Sequence, residues 1–353
     1  MRAAYMPTYG PPSVLTFGVL PKPTISGRQL LVRVVCTSVN PADTKQRSGN
    51  LRKLMRHNFP AVLGQDFAGI VTEVGKQCTR FRIGDAVFGC TAPGRGTSAE
   101  FVAVDESEAA LKPTSLSFEE AAAVATVACT AHTGLARARK LTADSRVLVH
   151  GASGGVGSCV VQLARARGMS IVGTCSDKNL KYVETLGARA IDYTTGWSSD
   201  LAREGCSFDY AFDCVGGDDL WISSLPLLRP GGCYITAVGP FRHGGSEPVT
   251  YSMILASAKL LLARLIGNAV RPVGYSIYLS FDRKAISDPE LLEALERGML
   301  RVRRHPNVFS LAQLGDAHAC CEAGSKTTGK LCVRVADVDF IRADSFATAL
   351  GFS

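Results

Sequence analysis

Short runs of β-branched and alternating residues dominate the first third of the chain. Residues 29–38 form one such run and 69–74 another, and 85–89 and 99–104 follow between glycines. Brief strands broken by glycine predict a barrel-like, β-rich domain. The period changes at Ser117, where Phe-Glu-Glu-Ala-Ala-Ala-Val-Ala reads as a helix with Ser117 at its cap and Glu120 at its third position. A domain junction is expected there.

From residue 145 the pattern becomes strand–helix alternation. Residues 145–150 are a short apolar run bounded by glycine, which suits a buried parallel strand. Val156, Val160, Leu163 and Ala164 then recur at helical spacing until Gly168 ends the pattern. Residues 170–174, 190–193, 208–214 and 232–238 read as further strands and 179–186 as a helix. Repetition of this unit predicts a doubly wound parallel sheet, a Rossmann-type domain of α/β class. Two more helices, 289–297 and 311–323, precede a last strand, 330–335, that looks like a sheet edge returning to the first domain. The expected organisation is therefore an insertion: 1–125 opens one domain, 126–270 forms the doubly wound domain, and 271–353 returns to the first and ends in a tail without clear period. A chain of 353 residues exceeds one compact core, and a cleft between two domains is the default ligand site.

Composition narrows this only a little. With 46% hydrophobic and 20% charged residues the chain is of ordinary globular type. Its twelve cysteines are scattered from Cys36 to Cys332 without a Cys-x-x-Cys pair, so they read as small apolar residues in a reducing compartment, and a cytoplasmic protein is expected, with a mitochondrial one as the alternative. The N-terminus has no apolar or amphipathic presequence, and the final Gly-Phe-Ser is not a peroxisomal address. The net charge of +8 is spread among mixed charges, apart from Arg301, Arg303, Arg304 and His305. That run has no aromatic interleaving, so a nucleic-acid partner is not expected. Residues 251–270 are the most apolar long stretch, but Lys259 and Arg264 interrupt it, so a buried or dimer-facing helix is expected rather than a membrane span.

Candidate chemistry concentrates at Gly151-Ala-Ser153-Gly154-Gly155-Val156-Gly157, between an expected strand and an expected helix. Glycine allows positive φ and close backbone approach, and the free amides and dipole of the helix start hold a pyrophosphate. Strand before, helix after and further such units beyond make this a dinucleotide site. The second strand ends without an acidic residue to accept from a ribose 2′-OH; Ser176, Lys178 and Lys181 can instead serve a 2′-phosphate, which favours NADPH over NADH. The plainer alternative is that both lysines are a solvated helix start.

With that loop in place, further motifs carry a resemblance: Ser38-Val-Asn40-Pro41-Ala-Asp43, Gly64-Gln65-Asp66-Phe-Ala-Gly69, Gly84-Asp85-Ala-Val-Phe-Gly89, Ala99-Glu100-Phe101, Thr126-Val-Ala-Cys-Thr130-Ala, Asp213-Cys-Val-Gly216-Gly217 and Gly329-Lys330. From residue 1 to about 335 the chain resembles the medium-chain dehydrogenase/reductase superfamily, within it the zinc-free quinone oxidoreductase and zeta-crystallin branch. It is also similar to the mitochondrial reticulon-interacting oxidoreductases. The resemblance implies a GroES-like β-barrel catalytic domain and a nicotinamide lying in the cleft. It implies Thr126, Thr130, Tyr193, Val215 and Lys330 as cofactor-binding residues beside the glycine loop, with Thr130 at the nicotinamide amide and Tyr193 at the adenosine. Zinc-dependent relatives place Cys where Asn40 stands and His-Glu where Gln65-Asp66 stand, so no metal is expected. One departure is Asn179, at a position where many members carry lysine.

Without a metal, hydrogen bonds or a proton donor must stabilise the oxyanion formed after hydride transfer. Asn40 is the first candidate donor, with capping of the Asn40-Pro41 turn as its alternative. Asp43 could orient Lys45, Gln65 or a water, or cap the next helix; Asn40, Asp43, Gln65 and Thr130 form the candidate catalytic set. None is a strong acid, which points to a quinone or α,β-unsaturated carbonyl as the small-molecule substrate. His57, His150, His243 and His318 lack metal-ligand spacing and read as structural. A second reading is an NADPH-responsive binding module for RNA or a protein partner. A homodimer would follow if residues 275–279 extended the parallel sheet across a two-fold axis.

Overall fold

The computed structural model describes residues 1–92, 94–138, 141–239, 247–267, 273–277, 282–324 and 328–336. It divides into two compact units, Met1–Thr126 with the chain from Arg283 onward, and Val127–Asp282.

The first unit is organised around one long strand, Gln29–Val39. One edge of it pairs antiparallel with Asp66–Val74, while the other is shared by two partners: Gln29 to Arg33 faces Phe101–Asp105, and Cys36 to Val39 faces Lys330–Arg334. The pairing with Asp66–Val74 shifts register at Leu31/Val32 and again at Val34/Cys36, and the second shift falls between the two partnerships on the other edge. The sheet continues through Ala86–Cys90 to Ala109–Leu111 on one side and to Arg304–Ser310 on the other. Leu30, Val32, Val34, Phe67, Val71, Val87 and Val102 alternate inward to form its core. The C-terminal strand thus joins the first domain across some 290 residues of sequence, as the sequence pattern suggests.

Several elements escape the pattern, among them strands of the first unit. Arg2–Met6 and Thr16–Val19 are strands in a small antiparallel sheet, in a stretch rich in proline. The basic run at 301–305 leads into a strand, Arg304–Ser310, which pairs parallel with Lys330–Arg334; its charge hides its backbone role.

The second unit is a six-stranded parallel sheet in the order Arg189–Asp192, Ser170–Cys175, Arg146–His150, Phe208–Asp213, Leu228–Thr236, Gly274–Ile277. The strand order reverses between Arg146–His150 and Phe208–Asp213, the switch point at which doubly wound sheets bind ligands. On one side Trp221 packs edge-on against Tyr234 and Tyr275, each at 5.1 Å, in a cluster with Leu148, Phe208 and Trp197. His150 is structural, as expected: its Nε2 lies 2.9 Å from Ser224 Oγ, which itself donates to Leu220 O, so Nε2 carries the proton. Burial holds its pKa down to about 4, and it packs as a neutral ring.

The apolar stretch that begins at Tyr251 forms a helix, Tyr251–Gly267, but it is not buried: Tyr251, Leu255 and Leu262 are exposed. Among the described residues no helix is long and apolar enough to cross a membrane. Of the segment 275–279, residues 275–277 lie in the edge strand and the rest fall outside the described residues, as do His243, residues 268–270 and the tail beyond 336.

Candidate active site

Two local structures carry the chemistry, one in each unit. In the first, three neighbouring elements bring Ser38, Asn40, Asp66 and Lys330 together. Ser38 ends the long strand, Asp66 begins its antiparallel neighbour, and Lys330 begins the C-terminal strand on its other edge. Asp66 is fully buried and its carboxylate takes four donors: Thr126 N–H at 2.8 Å on Oδ1, and Ser38 Oγ at 2.5 Å, Asn40 Nδ2 at 2.8 Å and Lys330 Nζ at 3.1 Å on Oδ2. Lys330 also donates to Asn40 Oδ1 at 2.5 Å. A buried carboxylate and ammonium are tolerable only when paired and hydrogen-bonded in this way.

This network fixes the Asn40 amide. A flipped amide would set its NH2 against the Lys330 ammonium and its oxygen against the Asp66 carboxylate, so only one orientation satisfies all three groups. The amide donates to Asp66 Oδ2 at 2.8 Å. The expected alternative role also has a place, but it belongs to Asp43. Its Oδ2 accepts the Asn40 backbone N–H at 2.8 Å at the start of the helix Pro41–Arg47, while the Asn40 side chain points to Asp66 and Lys330. Burial pushes the Asp43 carboxyl up to about 7. Gln65 is buried immediately before Asp66, and its side chain makes no hydrogen bond among the described residues.

In the second unit the glycine loop has the geometry a dinucleotide cradle requires. Strand Arg146–His150 runs into Gly151, which has φ +72°, and helix Gly155–Ala166 starts after Gly154. A Cβ on Gly157 would lie 2.2 Å from Gly151 O, so the helix packs directly on the turn. Gly154 differs, since its added Cβ would meet only Gly151 O, at 3.3 Å. Ala152 N–H donates to Thr174 O at 3.0 Å and locks the loop to the next strand. Ser153, Gly155 and Val156 complete an uncrowded helix start whose amides can hold an anion.

A second carboxylate organises the loop's neighbour. Asp213 accepts from Val215 N–H and Gly216 N–H, both at 2.8 Å, and from Thr236 Oγ1 at 2.8 Å. This folds residues 213–217 so that Val215 touches the turn: a Cβ on Gly151 would come within 2.8 Å of Val215 Cγ2. At the end of Ser170–Cys175, Ser176 is half-buried, and Asn179 Nδ2 donates to its Oγ at 3.0 Å. Lys178, Lys181 and Tyr193 are exposed around that strand end. Thr126 and Thr130 stand one turn apart on the helix Phe118–Arg137, whose start carries the expected capping box: Glu120 N–H donates to Ser117 Oγ at 3.1 Å and Ser117 N–H to Glu120 Oε2 at 2.8 Å.

Sequence reasoning picked out Asn40, Asp43 and the loop. It passed over Ser38 as a participant, gave Asp66 and Asp213 no role of their own, and assigned Lys330 to the cofactor. The structure adds contacts of Lys330 Nζ to Asn40 and Asp66 to that cofactor role, which it does not test. The available signal was that all four residues lie within quoted motifs; what was missing was the strand order that joins positions 38, 66 and 330.

A GroES-like sheet domain and a six-stranded dinucleotide-type sheet define the class, and the comparisons agree. Residues 26–114 match the model of the alcohol dehydrogenase GroES-like domain, and 155–271 that of the zinc-binding dehydrogenases. The chain is 30% identical over 317 residues to the mitochondrial NAD(P)H oxidoreductase RTN4IP1 of Danio rerio, covering 84% of this chain and 81% of that one. It is 36% identical over 240 residues to the 2-methylene-furan-3-one reductase of Solanum lycopersicum, 65% of this chain and 60% of the other. The solved quinone oxidoreductase of Coxiella burnetii superposes with a TM-score of 0.76 at 29% identity, covering 95% and 99% of the two chains. The protein belongs to the medium-chain dehydrogenase/reductase superfamily, in its quinone oxidoreductase branch.

Two outcomes are expected. Gly157→Ala forces the loop backbone apart, lowering stability by about 1–3 kcal/mol together with dinucleotide affinity. Gly154→Ala lowers affinity about tenfold or more with little loss of stability, because only a bound pyrophosphate would crowd its methyl group. Urea midpoints beside fluorescence titrations with NADPH separate the two. Asp43 gives a pH signature. Below its unfolded value of 3.8 both states are protonated, whereas between 3.8 and about 7 the unfolded chain ionises and the folded one does not. Folded stability therefore falls with rising pH across that window, each tenfold difference in proton affinity being worth about 1.4 kcal/mol. Asp43→Asn should remove this slope in urea unfolding followed from about pH 4 to about pH 8, which covers nearly all of the window up to about 7; an unchanged slope would refute the assignment.

Proposed function

We propose that the protein is a zinc-independent, NADPH-dependent reductase that passes hydride to a quinone or an α,β-unsaturated carbonyl compound. The observation that carries the zinc-free part is Lys330. Its ammonium sits 2.5 Å from Asn40 Oδ1 and 3.1 Å from Asp66 Oδ2, so a side-chain cation already neutralises the residues that stand at the metal positions of zinc-dependent relatives. The neutral amides of Asn40 and Gln65 are also weak zinc ligands.

Bound NADPH supplies the hydride. The glycine loop holds its pyrophosphate, with Val215, Thr126, Thr130 and Tyr193 as further contacts. Lys178 and Lys181 neutralise the 2′-phosphate, and Ser176, held by Asn179, donates to it. Asn40 then turns its amide N–H toward the developing oxyanion, assisted by the buried Gln65 amide. Lys330 acts as a positioning residue: it fixes the amide and places positive charge behind it, so the donor is preorganised before charge develops. Without a strong acid in contact, the favoured acceptors are those whose reduced form is already stabilised, as in a quinol or an enolate. The names of relatives support this range, since one reduces a 2-methylene-furan-3-one and another is a quinone oxidoreductase.

A homodimer and a cytoplasmic location complete the reading. The outer edge of Gly274–Ile277 has no strand partner among the described residues, which suits pairing across a two-fold axis. Twelve free thiols suit a reducing compartment.

The test is consumption of NADPH and NADH with a panel of ortho- and para-quinones and enones. Full activity after chelation is expected, with Asn40→Ala lowering kcat/KM about a hundredfold. Lys178→Ala with Lys181→Ala should weaken NADPH binding about tenfold and leave NADH unchanged, the equivalent of one charge-assisted contact. Loss of activity on chelation would overturn zinc independence; NADPH binding without turnover of any acceptor would overturn the reductase reading.

A further inference from the structure

The helix Tyr251–Gly267 presents apolar side chains to solvent in a regular stripe. Tyr251 is 69% exposed, Leu255 58% and Leu262 59%, with Ala258 exposed between them. The spacings of four, three and four residues set these on one face, while Met253 and Ile254 are half-buried. A contiguous exposed apolar face of this kind marks an interaction surface rather than scattered surface hydrophobes.

Charge decides what covers it. From residue 248 to residue 281 the sequence contains no Asp or Glu, but it carries Lys259, Arg264 and Arg271. Lys259 is exposed next to Ala258, at the margin of the stripe. A second copy of the same helix would bring basic residues together with no carboxylate on either helix to pair them. A surface that offers both an apolar interior and negative charge meets the requirement. We propose that this face docks on a membrane surface rich in anionic lipid, with the helix lying in the interfacial plane.

The geometry fits a helix that lies on a bilayer rather than crosses it. Its 17 residues span about 25 Å at 1.5 Å per residue, short of the ~30 Å hydrocarbon core, and Lys259 stands near the middle. Leu255 and Leu262 would enter the acyl boundary while Lys259 reaches lipid phosphates, and Tyr251 at the helix start has the amphipathic ring favoured at that depth. The inference goes beyond the reductase reading and stands whether or not that reading holds.

The experiment is co-sedimentation of the full chain with vesicles of phosphatidylcholine alone and of phosphatidylcholine mixed equally with phosphatidylserine. Binding is expected only to the mixed vesicles and should weaken with added salt. Lys259→Gln should lower the partition about fivefold, the expected effect of one basic residue near such a surface. Leu255→Glu with Leu262→Glu should abolish it without moving the thermal unfolding midpoint, because both side chains are already exposed. No sedimentation with the mixed vesicles, or equal sedimentation of the double variant, overturns the proposal. So does a double variant that turns dimer into monomer by light scattering while the unaltered chain ignores vesicles, since the face would then join two copies.

Discussion

A buried carboxylate that must be satisfied sets the terms for the first unit. Asp66 lies in the dry interior, where an unpaired charge would cost several kcal/mol. The surrounding backbone is arranged to supply its donors: a strand end gives Ser38, a turn gives Asn40, the C-terminal strand gives Lys330, and a helix amide, Thr126 N–H, takes the remaining oxygen. None of these could move far without stranding a charge. The rigidity of the Asn40 amide is therefore a by-product of electrostatic necessity, and that amide is the group best placed to act on a polarised oxygen.

The second unit solves a different problem by removing side chains. At Gly157 an added methyl carbon would lie 2.2 Å from the Gly151 carbonyl oxygen, and at Gly151 the turn needs positive φ. The result leaves backbone amides uncovered at a helix start, where only an anion of suitable shape completes them. Asp213 supports this from beneath by gathering two amides and a hydroxyl, so that Val215 closes on the turn. Each unit thus relies on one buried carboxylate to hold a loop, and in neither does that carboxylate need to take part in bond changes.

Exposed features follow other rules. The helix Tyr251–Gly267 spends apolar side chains on solvent in a region without acidic residues, which the energetics of a folded monomer do not favour. A buried or dimer-facing helix was the natural expectation from its hydropathy, yet hydropathy alone does not say which partner covers a face.

What the sequence determined by itself was everything governed by local period and local chemistry. The alternation at 29–38 and 69–74, the strand-turn-helix at 145–166, the capping box at Ser117 and Glu120, and the glycine turn all depend on neighbours within a few residues, and all were legible. The N-terminal strands and Arg304–Ser310 were not, because prolines and arginines mask a short strand whose partner lies elsewhere in the chain. Only the tertiary structure decided the roles of Ser38, Asp66 and Lys330. Their contacts cross 28 and 264 residues of sequence, and which residues meet at a strand end is fixed by sheet order and register, quantities that no local pattern encodes.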